Sequence, residues 1–130
     1  MLTDVPLNAV IPASDIERAK RFYRDTLGFE VVDDRGEMVL FRSGGAEFSV
    51  YSTPSGGQAA HTLAGWRVAD LDAEMADLRK RGVAFEDYDL PGLKTVDGVV
   101  EGGGMRGAWF KDSEGNILGV VQELSGGAAR

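Results

Sequence analysis

NAVIPASDIERAKRFYRDTLGFEV, residues Asn8 to Val31, can be laid on LAGWRVADLDAEMADLRKRGVAFED, residues Leu63 to Asp87, and this match decides how the chain is built. Asp15 falls on Asp70, Ile16 on Leu71 and Arg24 on Arg79; with one residue deleted near the helix end, Gly28 falls on Gly82. Downstream, FRSGGAEFSVYS (Phe41 to Ser52) lies on FKDSEGNILGVVQ (Phe110 to Gln122) with one gap, which sets Ser49 against Gly119. Self-similarity at this length means one supersecondary unit used twice.

Each copy reads as a strand, a helix and three further strands. Leu7, Ala9, Ile11 and Ala13 alternate with Asn8, Val10 and Pro12, the period of a strand with two unlike faces. Ser14 with Glu17 makes a capping box, and Asp15 and Glu17 suit the positive end of a helix. Ile16, Ala19, Phe22, Tyr23 and Leu27 form its apolar stripe, ended by Gly28. The second helix starts at Asp70, shows Leu71, Met75 and Leu78 on one face, and ends at Gly82. DDRGE (Asp33 to Glu37) and SGGAE (Ser43 to Glu47) read as hairpin turns. The first module spans about residues 5–53, a polar Gly-rich linker 54–60, the second module about 61–124 and a flexible tail 125–130, all in one domain. The second copy carries an extra piece, LPGLKTVDGVVEGGGMRG (Leu90 to Gly107), which reads either as a lid or rim over a site or as a flexible loop.

Composition narrows the function. At 130 residues the chain has the length of one domain with a single core. A net charge of −7 argues against a nucleic-acid partner, since phosphate binding needs a basic surface. No apolar run approaches the roughly 20 residues that cross a bilayer, so no membrane role is expected. The opening MLTDVPLNAV lacks the basic and apolar regions of a secretory signal, and no cysteine is present. Together these point to a cytoplasmic protein without disulfides or a thiolate site.

The repeated strand–helix–three-strand halves carry two motifs: IPASDIERAKRFYRDTLGFEV in the first and WFKDSEGNILGVVQ in the second. The first is a form of FYRDxLGF, and the second a variant of F-x-D-P-x-G-N with Ser113 at the usual proline. From about Leu7 to Leu124 the chain resembles the vicinal oxygen chelate superfamily, which contains glyoxalase I, bleomycin-resistance proteins and extradiol dioxygenases. The resemblance implies an α+β fold of two tandem βαβββ modules, their mixed sheets curled around a cleft with the helices outside. It also implies a homodimer, sometimes with modules exchanged between chains.

Metal-dependent members of that superfamily place ligands on the first and last strand of each module. Here those positions fall at Asn8, Ser49, Leu63 and Gly119. A divalent ion wants imidazole or carboxylate donors at about 2 Å, and this set offers an amide, a hydroxyl, a hydrocarbon and nothing. No metal and no other cofactor is expected. A relocated ion site using His61, the chain's single histidine, and Glu47 would have too few ligands.

Strand parity gives the expected ligand-facing set: Asn8, Val10, Glu47, Ser49, Tyr51, His61, Leu63, Gly65, Arg67, Ile117, Gly119 and Val121, with Trp109 or its neighbour Phe110 added. Arg67 is either an anchor for a carboxylate or phosphate, or the partner of an acid such as Glu47. Two functions fit: a metal-free protein binding an apolar or aromatic small molecule, or an enzyme (lyase, isomerase or dioxygenase relative) with relocated ligands or with Glu47, Tyr51 and His61 as acid and base. Gly119 raises a question of its own, because a glycine inside a strand marks a bulge or a close approach.

Overall fold

The computed structural model describes residues 1–124; the tail expected at 125–130 lies outside the described residues. The chain divides into two compact units. The first comprises Met1–Gln58 together with the turn Ser113–Asn116, and the second runs from Ala59 to Asp112 and resumes at Ile117.

In the first unit, β1 (Ala9–Ala13) leads into α1 (Ile16–Arg21), then β2 (Glu30–Asp34), β3 (Met38–Ser43) and β4 (Ala46–Ser52). The sheet order is β1-β4-β3-β2, with β1 parallel to β4 and the other neighbours antiparallel. The second unit repeats the plan with β5 (Thr62–Arg67), α2 (Leu71–Lys80), a small hairpin β6 (Asp89–Leu90) and β7 (Leu93–Lys94), then β8 (Val100–Gly102), β9 (Met105–Lys111) and β10 (Ile117–Glu123). Its main sheet has the order β5-β10-β9-β8, with β5 parallel to β10. The fold is therefore α+β, two mixed sheets of βαβββ plan. The sequence repeat is reproduced residue by residue in the ladders: Ser49 stands between Val10 and Leu40, and Gly119 between Gly65 and Trp109.

The alternation read along the strands decides which face is buried. Ile11, Ala13, Val39, Phe41, Phe48 and Val50 are buried in the first unit, where Tyr23 closes an aromatic cluster with Phe41 and Phe48. Leu71, Met75, Phe110, Leu118 and Val120 do the same in the second. Trp66, half-buried, stacks on Phe110 with ring centroids 6.1 Å apart.

Three local expectations are corrected. The N-cap of α1 is Asp15, whose carboxylate accepts from the Arg18 N–H at 3.1 Å, so Ser14 and Glu17 form no capping box. Ser14 instead donates to Glu114 Oε1 at 3.1 Å, and Glu17 pairs with Lys20. The α-helical hydrogen bonding ends sooner than the apolar stripe suggests: Phe22–Thr26 widens into a π-turn, closed by the Leu27 N–H on the Phe22 carbonyl. Nor is Leu90–Gly107 a structureless loop. It contains β7, β8 and parts of β6 and β9, and its base is fixed by Asp87 Oδ1, which accepts from Thr95 Oγ1 and from the Gly98 N–H.

The turn Ser113–Asn116 carries the densest polar network of the first unit. The Glu114 side chain is fully buried and accepts from Arg18 Nε at 2.8 Å, the Asp15 N–H at 2.8 Å, and the hydroxyls of Ser14 and Ser113. Burial alone opposes its ionisation, but the Arg18 guanidinium and these donors outweigh it and hold the carboxyl at a pKa of about 2. Asn116, also buried, donates to the Pro12 carbonyl and accepts from the Gly57 N–H.

Candidate functional site

The second sheet holds an open concavity of about 430 Å³, lined by Thr62, Gly65, Trp66, Arg67, Met105, Trp109, Gly119 and Val121. A smaller hollow of about 220 Å³ adjoins it toward β8, bordered by Val100, Gly102 and Arg106 and sharing Met105, Trp109 and Val121.

Backbone irregularity builds the larger concavity. In the β5–β10 ladder Thr62 faces Ile117 but Ala64 faces Leu118, so β5 has one residue too many and Leu63 is the extra one. A bulge of this kind re-aims the side chains on either side of it. Strict alternation would put Leu63 beside Gly65 on the face of Gly119; the bulge brings Thr62 there instead. Thr62 Oγ1 accepts a hydrogen bond from Trp109 Nε1 at 3.1 Å. Gly119 lies directly beneath this pair: a Cβ there would stand in ordinary van der Waals contact with Thr62 Cγ2 at 3.4 Å and with the Trp109 indole at 3.5 Å, so any longer side chain would have to share the space of the ring.

The far side of that ring rests against Tyr88, edge to face, with centroids 5.6 Å apart. Burial and the nearby Glu86 carboxylate both push the Tyr88 phenol upward, keeping it neutral. Arg67 supplies the positive charge at the rim: its side chain is 74% exposed and its nearest acid, Glu123, is 3.4 Å away. The alternative partner, Glu47, is bound to Arg42 at 3.1 Å.

Of the residues expected from the sequence, Arg67, Trp109 and Gly119 are brought together here, with Gly65 and Val121 from the same parity set. Leu63 and His61 do not line the concavity; His61 is exposed just ahead of β5. Val10, Glu47, Ser49 and Tyr51 lie on one face of the first sheet, where Val10 is 61% and Tyr51 40% exposed. Asn8 is exposed just before β1, its side-chain amide near the Glu47 carbonyl. Thr62, Trp66 and Met105 were not foreseen; parity sets Trp66 on the opposite face of its strand, yet it also borders the concavity. The bulge that recruits Thr62 leaves no mark in a run such as THR-LEU-ALA-GLY (Thr62 to Gly65), whereas Met105 was hidden by the Gly-rich stretch before it.

Residues 7–119 match the family model for the Glyoxalase/Bleomycin resistance protein/Dioxygenase superfamily. The chain belongs to that superfamily. No curated protein matches it in sequence. Among solved structures, TnmS3, an antibiotic binding protein from Streptomyces sp. CB03234, is 26% identical over 92% of this chain and 97% of its own, with a TM-score of 0.62. A glyoxalase/bleomycin resistance protein/dioxygenase from Alicyclobacillus acidocaldarius is 16% identical, covering 98% of this chain and 97% of that one, with a TM-score of 0.74. A lactoylglutathione lyase from Agrobacterium tumefaciens is 20% identical over 91% and 92%, with a TM-score of 0.62. The last two similarities speak to the fold alone.

The metal that such folds use elsewhere does not suit the residues at the corresponding positions. Asn8, Ser49, Leu63 and Gly119 bring no imidazole or carboxylate, and the space beside Gly119 is taken by the Trp109 indole and the Thr62 methyl. Among the described residues no three His, Cys, Asp or Glu side chains are grouped so as to share an ion.

Proposed function

We propose that the protein binds a small aromatic molecule carrying an acidic group, in the concavity of the second sheet, without a metal. The observation that carries this reading is the combination of a tryptophan ring, a methionine and an exposed guanidinium around one hollow of about 430 Å³. A site of this size, mostly apolar with a few placed polar groups, has the character of a small-molecule pocket. Trp109 offers a ring face, Met105 a soft thioether that adapts to flat ligands, and Arg67 a fork for a carboxylate or sulfonate. The donor-poor set Asn8, Ser49, Leu63 and Gly119 supports a role in binding over metal-dependent turnover. The antibiotic-binding TnmS3 is in keeping with it. The reading includes a cytoplasmic homodimer, as expected from the sequence.

A thermal-shift screen of planar aromatic carboxylates and sulfonates tests it. At least one compound is expected to raise the Tm, and Arg67→Ala to weaken that compound about tenfold, the scale of one charge-assisted contact. Arg67→Ala itself leaves stability within about 0.5 kcal/mol, as for other exposed groups. No hit, or hits indifferent to both Arg67→Ala and Trp109→Ala, would sink the proposal.

A further inference from the structure

We infer that Thr62 is a positioning residue: it fixes the Trp109 indole as a partition between the two hollows of the second sheet, and so limits the length of the ring system that the site accepts. This rests on the binding reading above and goes beyond it by assigning the source of its size selectivity.

Trp109, Met105 and Val121 line both hollows, while Thr62, Gly65 and Arg67 belong only to the larger and Val100, Gly102 and Gly107 only to the smaller. The two are therefore halves of one groove crossing β5, β10, β9 and β8, divided by side chains of β9. The smaller half, about 220 Å³, is by itself under the roughly 300 Å³ at which ligand pockets begin. It becomes useful to a ligand only when joined to its neighbour.

Three contacts hold the ring at the boundary. Thr62 Oγ1 takes the only N–H the indole has to give, at 3.1 Å. The ring edge lies over Gly119, with Cδ1 and Nε1 3.5 Å from where a Cβ would stand. Tyr88 meets it edge to face. Of these, the hydrogen bond is the directional one, and it exists because the bulge at Leu63 turns Thr62 toward Gly119. With the bond in place the site takes a compact ring system beside Arg67. With the bond removed the indole gains rotamers, and the groove opens to a longer two-part aromatic anion.

Two probes of like charge and different length read this: 1-naphthalenesulfonate and 8-anilino-1-naphthalenesulfonate. Affinities are measured for the natural chain, Thr62→Val, Thr62→Ser and Trp109→Ala, alongside hydrogen exchange of the Trp109 indole N–H by NMR. Valine keeps the β-branched shape and removes the acceptor; serine keeps the acceptor. We expect the natural chain and Thr62→Ser to prefer the shorter probe. Thr62→Val should lower that preference at least threefold, Trp109→Ala should lower it further, and indole exchange should accelerate at least tenfold in Thr62→Val alone of the two threonine variants. Unchanged indole exchange in Thr62→Val overturns the positioning role. Faster exchange with an unchanged probe preference overturns the selectivity. Failure of both probes to bind any of the four proteins overturns the binding reading and the selectivity with it, while the exchange data still decide the positioning.

Discussion

Arg18 and Glu114 are 96 residues apart in the chain, and the Arg18 guanidinium meets the Glu114 carboxylate through Nε at 2.8 Å and a second nitrogen at 3.1 Å. The geometry is bidentate, which makes it one of the stronger forms of ion pair. It is also asymmetric, since the Arg18 side chain is half exposed and that of Glu114 is fully buried.

That asymmetry fixes a pH dependence. The Glu114 carboxyl has a folded pKa of about 2 against an ordinary value of 4.5. In the window between them the unfolded chain holds the proton more tightly than the folded one. The contribution to stability is therefore complete above the ordinary value and is lost as pH falls toward the folded one, up to about 3 kcal/mol in all. Glu114→Gln is expected to be destabilised at neutral pH and to converge on the natural chain as pH drops through this window. Urea unfolding at several pH values measures the difference; a constant gap across the window would contradict the account.

The same turn makes a prediction about Gly57. A Cβ at this position would run into the Glu114 carbonyl oxygen, and the backbone has a φ of +76°. Gly44 has a φ of +59° but open space around it. Gly44→Ala is expected to cost about 1 kcal/mol, from conformation alone. Gly57→Ala should cost about 1–3 kcal/mol more, because backbone must move. Denaturant midpoints at unchanged slope provide the comparison, and equal costs would show that the turn yields easily.

Gly119→Glu restores a carboxylate where metal-dependent relatives carry a ligand. It should still create no site of stoichiometric zinc affinity, since Leu63 has no donor and Ser49 and Asn8 are weak ones. It should instead crowd the Trp109 indole, because the ring lies in contact with the new Cβ at 3.5 Å and the rest of the glutamate side chain has to share its space, and so shift tryptophan emission. Tight zinc uptake by this single variant would overturn the account of the emptied positions.

The duplicated plan was legible from the start, because Asp15 and Asp70, and Gly28 and Gly82, sit at nearly the same spacing in the two halves, and Ser49 and Gly119 correspond once the extra piece Leu90 to Gly107 is set aside. Asp15 and Asp70 both prove to be helix caps, on Arg18 and Ala73 respectively. What escaped the sequence was set by partners far along the chain. Ser14 looks like a cap until Glu114, 100 residues later, takes its hydroxyl. The order within Leu90–Gly107 rests on Asp87 and Thr95, whose pairing no local pattern announces. Parity identified Arg67, Gly65, Gly119 and Val121 around the concavity and failed at Leu63, where the bulge resets the count. Alternation is reliable only as long as each strand contributes one residue per rung.

The placement of Ser113–Asn116 in the first unit also bears on how the chain folds during synthesis. Asn116 reaches the Pro12 carbonyl across 104 residues, and Glu114 reaches Ser14 across 100. The first unit emerges from the ribosome early, up to Gln58, but lacks its buried polar turn until Ser113–Asn116 have followed. Closing contacts of such separation is slow and leaves an interval in which the β1 region is without its partners. Nascent chains stalled near residue 60 should therefore be open to proteolysis around Pro12 and Gly57, although every strand of that unit has already been made.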